Sequence, residues 1–330
     1  MDSEVAKGKE IVVDDGGGSD SCHEEEEEEV QSSSDDEDGE TSGSMEALHS
    51  YWSTIFLIPN GIMNKIDSIC RNFLWGGKDS YLRAPAVSWD KCCAPKAEGG
   101  LGIKNSKNWK KALFGKYVWW IASKKDHLWV KWISHVYLKN CWMGKQSDYT
   151  IIEGYNWLRG PSPKVSWWKI CWNTMNVPKA SFIYWAAVLR RLLTKDRLNR
   201  MGGVSDLSCY LCHNNAESHE NLFFYCPFSN RCVQVMQQKL NVSFNPRDLV
   251  NWNRRGRRNS ILVRRITCAY YVQLVYHIWH ERNKARLYSK VTHPVIILKQ
   301  GIQAVCIRFR SRNTSAITRG DEAWLQHLMQ

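Results

Sequence analysis

Apolar residues along this chain recur at helical intervals. From Asn60, the residues Ile62, Ile66, Ile69 and Phe73 fall on one stripe, with Asn60 placed to cap the helix and Gly76-Gly77 to stop it. Trp109, Leu113, Lys116-Tyr117 and Trp120 repeat the pattern over residues 105–121, and Trp129, Trp132-Ile133 and Val136-Tyr137 over 127–138. These three helices should pack on one another through those stripes. Residues 140–163, rich in Gly, Ser, Asp and Pro, read as a linker. Helices between 165 and 242 deliver the chain to a turn at Cys209, and two more are predicted over 272–287 and 295–309. The expected fold is mainly α, in successive segments 49–139, 140–163, 164–245 and 246–310, with a tail at 311–330.

Charge adds a further segment. Residues 1–48 hold 18 Asp/Glu and 2 Lys/Arg, whereas the other 282 residues hold 15 and 43. The overall +12 therefore averages an acidic tail with a strongly basic body. The tail, with Glu24 to Glu29 and Asp35-Asp36-Glu37-Asp38 amid Ser and Gly, has too little apolar surface to offset its ordering entropy, so disorder is expected there. It is either a plain solvated segment or a shield against non-specific polyanion contacts. Twelve cysteines without a secretory leader argue for a reducing, intracellular compartment. No apolar run is long enough to span a bilayer, so no membrane partner is expected.

All 17 tryptophans follow residue 48, several beside Lys or Arg. Aromatics interleaved with cations can stack bases and neutralise phosphates, yet their helical spacing assigns most of these to the core. The arginines are more pointed. Arg254, Arg255, Arg257, Arg258, Arg264 and Arg265 lie within twelve residues and would make nucleic-acid binding strongly salt-dependent. A solvated loop or a nuclear-import signal explains the same cluster.

The sharpest local pattern is Cys209-Tyr-Leu-Cys212, followed after thirteen intervening residues by Cys226. Two thiols on a tight turn and a third at finger-like distance suit Zn²⁺, which takes four N/S ligands in a closed tetrahedral site. His213 and His219 lie between them, and Cys232 follows on the next expected helix. Four buried, reduced cysteines without metal are the plain alternative.

Glu217-Ser-His-Glu-Asn-Leu-Phe-Phe-Tyr-Cys226-Pro-Phe-Ser resembles the zinc-binding region at the C-terminal end of plant non-LTR retrotransposon reverse transcriptases. So do Phe73-Leu-Trp-Gly-Gly77, Val87-Ser-Trp89 through Cys93-Ala-Pro95-Lys96 to Gly99-Gly-Leu-Gly-Ile103, Val177-Pro178-Lys179, and the helix Tyr276-His-Ile-Trp279-His-Glu281-Arg282-Asn283. The resemblance covers roughly residues 50–310. It implies a thumb-like helical segment after the palm, then a small helical zinc-binding domain and terminal helices. It also implies one zinc on Cys209, Cys212 and Cys226. The family's histidine position holds Asn221 and its usual tryptophan position Val233, so His219 becomes the expected fourth ligand. Cys92 and Cys93 read as structural, and the nearby glycines as a turn.

Reverse transcriptases hold two Mg²⁺ ions on paired palm aspartates. The Asp-Asp pairs here, Asp14-Asp15 and Asp35-Asp36, sit in the acidic tail without flanking apolar strands. The expectation is a non-catalytic, retrotransposon-derived zinc protein that binds nucleic acid. RNA is favoured because the parent enzyme engages its transcript. A protein-interaction module, its partner unspecified, and a functionless relic are the alternatives.

Overall fold

The computed structural model describes residues 58–76, 85–137, 148–255, 260–312 and 319–329, all within one compact unit, Trp52–Gln330. The acidic segment 1–48 lies outside the described residues. Among these residues regular structure is helical, apart from an isolated antiparallel bridge between Ser208 and Ala216. No helix in them is long and apolar enough to cross a membrane.

A satellite layer forms first. Helix α1 (Asn60–Gly76) precedes a short α2 (Trp89–Cys93), then α3 (Ser106–Ala122), α4 (Leu128–Tyr137) and α5 (Ile151–Arg159). Asn105 caps α3 by accepting from the Asn108 amide at 3.1 Å. Trp109, Ala112 and Leu113 of α3 form a small core with Tyr155 of α5, where Trp109 and Tyr155 meet edge to face at 5.6 Å. Helix α5 occupies the stretch read as a linker. Thr150 caps it by accepting from the Glu153 amide, Tyr155 anchors it in that core, and Arg159 pairs with Glu98. Ile151, Tyr155 and Leu158 do fall at i, i+4 and i+7 and pack in that core, but the stripe spans only nine residues amid Gly, Ser, Asp and Pro.

The stripes of α1 and α4 run opposite to expectation. Ile62, Ile69 and Phe73 are exposed, Phe73 to 82%, while Met63 and Asp67 are buried. On α4 the buried residue is Val130, and Trp132 and Tyr137 face out.

The main core is built by α6 (Trp168–Cys171), α7 (Pro178–Val188), α8 (Lys195–Arg200), α9 (Pro227–Leu240), α10 (Leu249–Arg255), α11 (Ile261–Tyr288), α12 (Pro294–Arg312) and α13 (Arg319–Met329). Its axis is α11, which packs against α7 and α12. Nearly every residue from Val263 to Val275 is buried, so this helix is apolar all round at its middle. Helices α11 and α12 approach closely at Gly301, where a Cβ would lie 2.6 Å from the Tyr270 ring, and the Tyr270 hydroxyl donates to the Leu298 carbonyl at 2.8 Å. Helix α13 lies in the segment read as a tail. Leu325 and Leu328 are buried, and Trp324 Nε1 donates to the Leu240 carbonyl at 3.2 Å.

The glycine-rich run after α2 is a turn. A Cβ on Gly100 would collide with the Ala94 carbonyl, and Gly99 and Gly102 have φ of 85° and 81°. Trp185 of α7 donates to the Gly99 carbonyl at 2.9 Å, which keys this turn to the main core. Cys92 and Cys93 are buried, and burial pushes their thiols up to about 11 and about 12, as structural cysteines require.

Candidate metal centre

A small hairpin carries the first two thiols. The Glu217 amide donates to the Leu207 carbonyl at 2.7 Å and the Cys209 amide to the Asn215 carbonyl at 2.8 Å. Between these rungs Cys209–Cys212 forms a turn closed by the His213 amide on the Cys209 carbonyl at 2.9 Å, with His213 itself left-handed at φ 57°. Two residues between the cysteines place both sulfurs on one side of that turn. The third thiol comes from a wide turn, Asn221–Tyr225, closed by the Cys226 amide on the Asn221 carbonyl at 2.7 Å. Pro227 then starts α9 with Cys226 at its N-cap.

The sulfurs of Cys209, Cys212 and Cys226 lie within 4.8 Å of one another. Tetrahedral Zn–S bonds of 2.3 Å need sulfurs about 3.8 Å apart, so a shift of about 1 Å at most completes the geometry. Cys209 and Cys226 are fully buried. Cys209 is raised far above the ordinary thiol range, first by its hydrogen bond to Cys226 and then by burial. The same bond lowers Cys226, aided by the Ser229 and Phe228 amides at the start of α9. One proton shared between facing sulfurs, with amides aimed at both, suits a cation that would replace it.

The structure does not bring His219 into this group. Positions 219 and 221 leave a helical turn about 200° apart, so a ring two residues from the family's ligand position departs on the opposite flank. There His219 Nδ1 meets Thr194 Oγ1 at 3.3 Å, and burial lowers its pKa to about 4. His213 is exposed and Cys232 is buried on α9, both also outside the group. Asn221 is buried with its Nδ2 lacking a hydrogen-bond partner.

Behind the hairpin lies a network that sequence reading missed. Glu217, 0% exposed, accepts from Arg282 of α11, 1% exposed, through Nε at 3.0 Å and a terminal nitrogen at 2.6 Å. The Lys195 amide donates to the same oxygen at 2.9 Å, and the Tyr210 amide approaches the other at 3.5 Å. The Arg282 guanidinium lies 5.0 Å from both the Tyr210 and Trp279 rings, while Lys195 Nζ sits 3.7 Å over Tyr210 and pairs with Asp206 at 2.8 Å. The signal was present as two motifs, Glu217-Ser-His and Glu281-Arg282-Asn283, with nothing local to join them.

Of the expected phosphate-binding arginines, Arg254 is exposed, Arg264 donates to the Asn253 carbonyl at 2.8 Å, and Arg265 donates to Thr174 Oγ1 at 2.7 Å. Arg257, Arg258 and the Arg255 side chain lie outside the described residues. A different cationic group, Arg190, Arg191, Arg197 and Arg200, gathers with His219 around one cavity. Its sequence signal, an Arg pair and an Arg-x-x-Arg, is split by a turn.

Residues 149–232 match the family model described as zinc-binding in reverse transcriptase. An Arabidopsis thaliana protein named "Putative ribonuclease H protein" is 26% identical over 150 residues, covering 40% of this chain and 24% of that protein. The chain thus spans about a quarter of the length of the curated relative it matches. No solved structure matches the chain. The matched segment contains all three converging thiols, and the match over residues 149–232 is consistent with a reverse-transcriptase zinc-binding region of retrotransposon origin.

Proposed function

We propose that this is a non-catalytic, retrotransposon-derived protein that holds one zinc ion at Cys209, Cys212 and Cys226 and binds nucleic acid, RNA in preference, through its basic body. The observation that carries the reading is the convergence of three thiols inside the matched region. Bound there, zinc supplies structural cross-linking of the hairpin to the start of α9. His219, turned to Thr194, would have to swing across the turn to reach the ion, and the Asn221 amide or solvent takes the fourth place.

Nucleic acid is the partner that a body of net charge +28 suits best. The ribonuclease H name of the relative raises hydrolysis as an alternative. Two-metal hydrolysis needs clustered carboxylates, and among the described residues the thiols are the one group of three or more His, Cys, Asp or Glu within reach of a single ion. The exposed face of α1, with Ile62, Ile69 and Phe73, favours a protein-interaction module as the second reading.

Zinc analysis of purified protein should find one ion per chain, and filter binding should show RNA affinity that falls steeply with salt. Protein without zinc, or without RNA binding at low salt, refutes the corresponding half. Mg²⁺- or Mn²⁺-dependent primer extension or hybrid cleavage that survives purification refutes the non-catalytic assignment.

A further inference from the structure

Two cavities of about 270 Å³ each adjoin on the flank of His219, sharing Arg190, His219 and Glu220 in their walls. One is lined by Trp167, Tyr184, Phe223, Phe224 and Tyr271. The other is ringed by Arg190, Arg191, Arg197 and Arg200. Arg190 pairs with Glu220 at 2.6 Å and Arg200 with Asp196 at 3.1 Å. Among the described residues no ion pair forms with Arg191 or Arg197, and with Asp196 and Glu220 also in its wall this cavity keeps an excess of positive charge. Burial first, then the charges of Arg191 and Arg200, lower the Arg197 pKa against the opposing pull of Asp196.

The dividing wall has its own polarity. The Thr194 hydroxyl donates to Asp196 at 2.5 Å, so the Thr194 oxygen receives a proton from His219 Nδ1. That fixes the neutral tautomer with a lone pair on Nε2, which is buried and has no hydrogen-bond partner. Aromatic side chains, the His219 ring and guanidinium groups without a carboxylate partner, one of them Arg197 with its Nη1 on the Arg190 carbonyl at 3.3 Å, thus line adjoining cavities.

We infer that this groove holds one nucleotide of a single-stranded nucleic acid, its base in the aromatic cavity and its phosphates on Arg191 and Arg197. The inference rests on the nucleic-acid reading above and gives it a location other than the 254–265 arginines. Aromatic side chains hold bases irrespective of sequence through their π-faces, and His219 lines both cavities as part of the wall between base and phosphate. The wall that the two cavities share suits a base joined to its own phosphate, a pairing that a bare anion or a peptide lacks.

The test uses the zinc-loaded full chain and a 5′-labelled, unstructured RNA dodecamer, with its DNA counterpart, followed by fluorescence anisotropy across a salt series. Arg191→Ala/Arg197→Ala should lower the log–log salt slope by about 1.4, roughly 0.7 per lost single-strand contact, and Arg191→Lys/Arg197→Lys should keep it. Phe224→Leu preserves apolar volume and should weaken binding roughly five- to a hundredfold without changing the slope. Zinc content and the thermal midpoint of each variant report folding, and the Lys and Leu variants remain informative should the Ala variant fail to fold. An unchanged slope in the Ala variant, with a drop in Arg254→Ala/Arg255→Ala/Arg257→Ala/Arg258→Ala, overturns the groove and leaves nucleic-acid binding standing. Affinity unchanged by Phe224→Leu overturns the base cavity. No binding by the unaltered chain at low salt overturns both the groove and the reading beneath it.

Discussion

Replacing Arg282 with Met should strongly destabilise this protein and loosen its hold on zinc together. The substitution keeps a long apolar stem among Tyr210 and Trp279 but removes both charge-assisted hydrogen bonds to Glu217. Glu217 is then a fully buried carboxylate left with the Lys195 amide at 2.9 Å and a distant Tyr210 amide at 3.5 Å. Breaking a buried pair from one side costs about 3–5 kcal/mol, a large share of the roughly 5–15 kcal/mol that stabilises a domain. The loss reaches the metal because Tyr210 sits between Cys209 and Leu211, with its amide on Glu217 and its ring under Arg282. Urea unfolding followed by tryptophan fluorescence gives the stability change, and competition with a chromophoric chelator gives the zinc affinity. Glu217→Met/Arg282→Met removes both charges and should recover most of the loss, as apolar replacements of buried pairs commonly do. A single-variant cost below about 1 kcal/mol, the range of surface ion pairs, with zinc affinity unchanged, would refute the argument.

Asn221→His should tighten zinc binding about tenfold or more, each tenfold being about 1.4 kcal/mol, by restoring a ring nitrogen at the turn that ends in Cys226; equal affinities in chelator competition would place position 221 away from the ion. Cys226→Ser, or chelation of the intact chain, should melt the hairpin, since structural zinc contributes roughly 10–16 kcal/mol of apparent binding energy in small finger peptides. Hydrogen exchange at the Cys209 and Glu217 amides reads this directly, and protection retained without metal would show that packing alone suffices. Burial lowers the His219 pKa to about 4, below the usual value near 6.5, so its neutral form is the one the fold favours. Stability should therefore fall as pH drops from about 6.5 to about 4, where the unfolded chain takes up a proton that the native chain refuses. His219→Gln should flatten that part of the stability profile, and an unaltered profile would assign the acid response to other groups.

The thiol group was legible because ligand spacing is a property of a few consecutive residues, and a C-x-x-C turn orients both sulfurs by itself. The helical class was legible for the same local reason, as Trp109 and Leu113 show by entering the satellite core. Which side of a helix meets a neighbour is a tertiary matter. Ile62, Ile69 and Phe73 form a true stripe, yet α1 turns Met63 and Asp67 inward. Helices α5 and α13 escaped notice because each is short and follows a stretch of turn-forming Gly, Ser, Asn or Asp residues, although α5 packs along α3 through Ile151, Tyr155 and Leu158 and α13 meets the Leu240 carbonyl through Trp324. His219 misled because nearness in sequence to a ligand position says little about direction when two residues turn the chain nearly halfway round. Arg282 carried no local sign that its partner lay sixty-five residues upstream.

That long-range tie bears on where the zinc-binding region can be cut. The family match ends at residue 232, while the side chain that neutralises Glu217 stands fifty residues beyond, on a different helix. A fragment trimmed to the matched borders would keep every thiol and still bury an orphaned anion beneath them. Sequence similarity and mechanical independence therefore have different edges here. In a lineage of copied and truncated elements, a break between 232 and 282 would sever one unit, and a descendant could retain this hairpin's architecture only by inheriting both ends together.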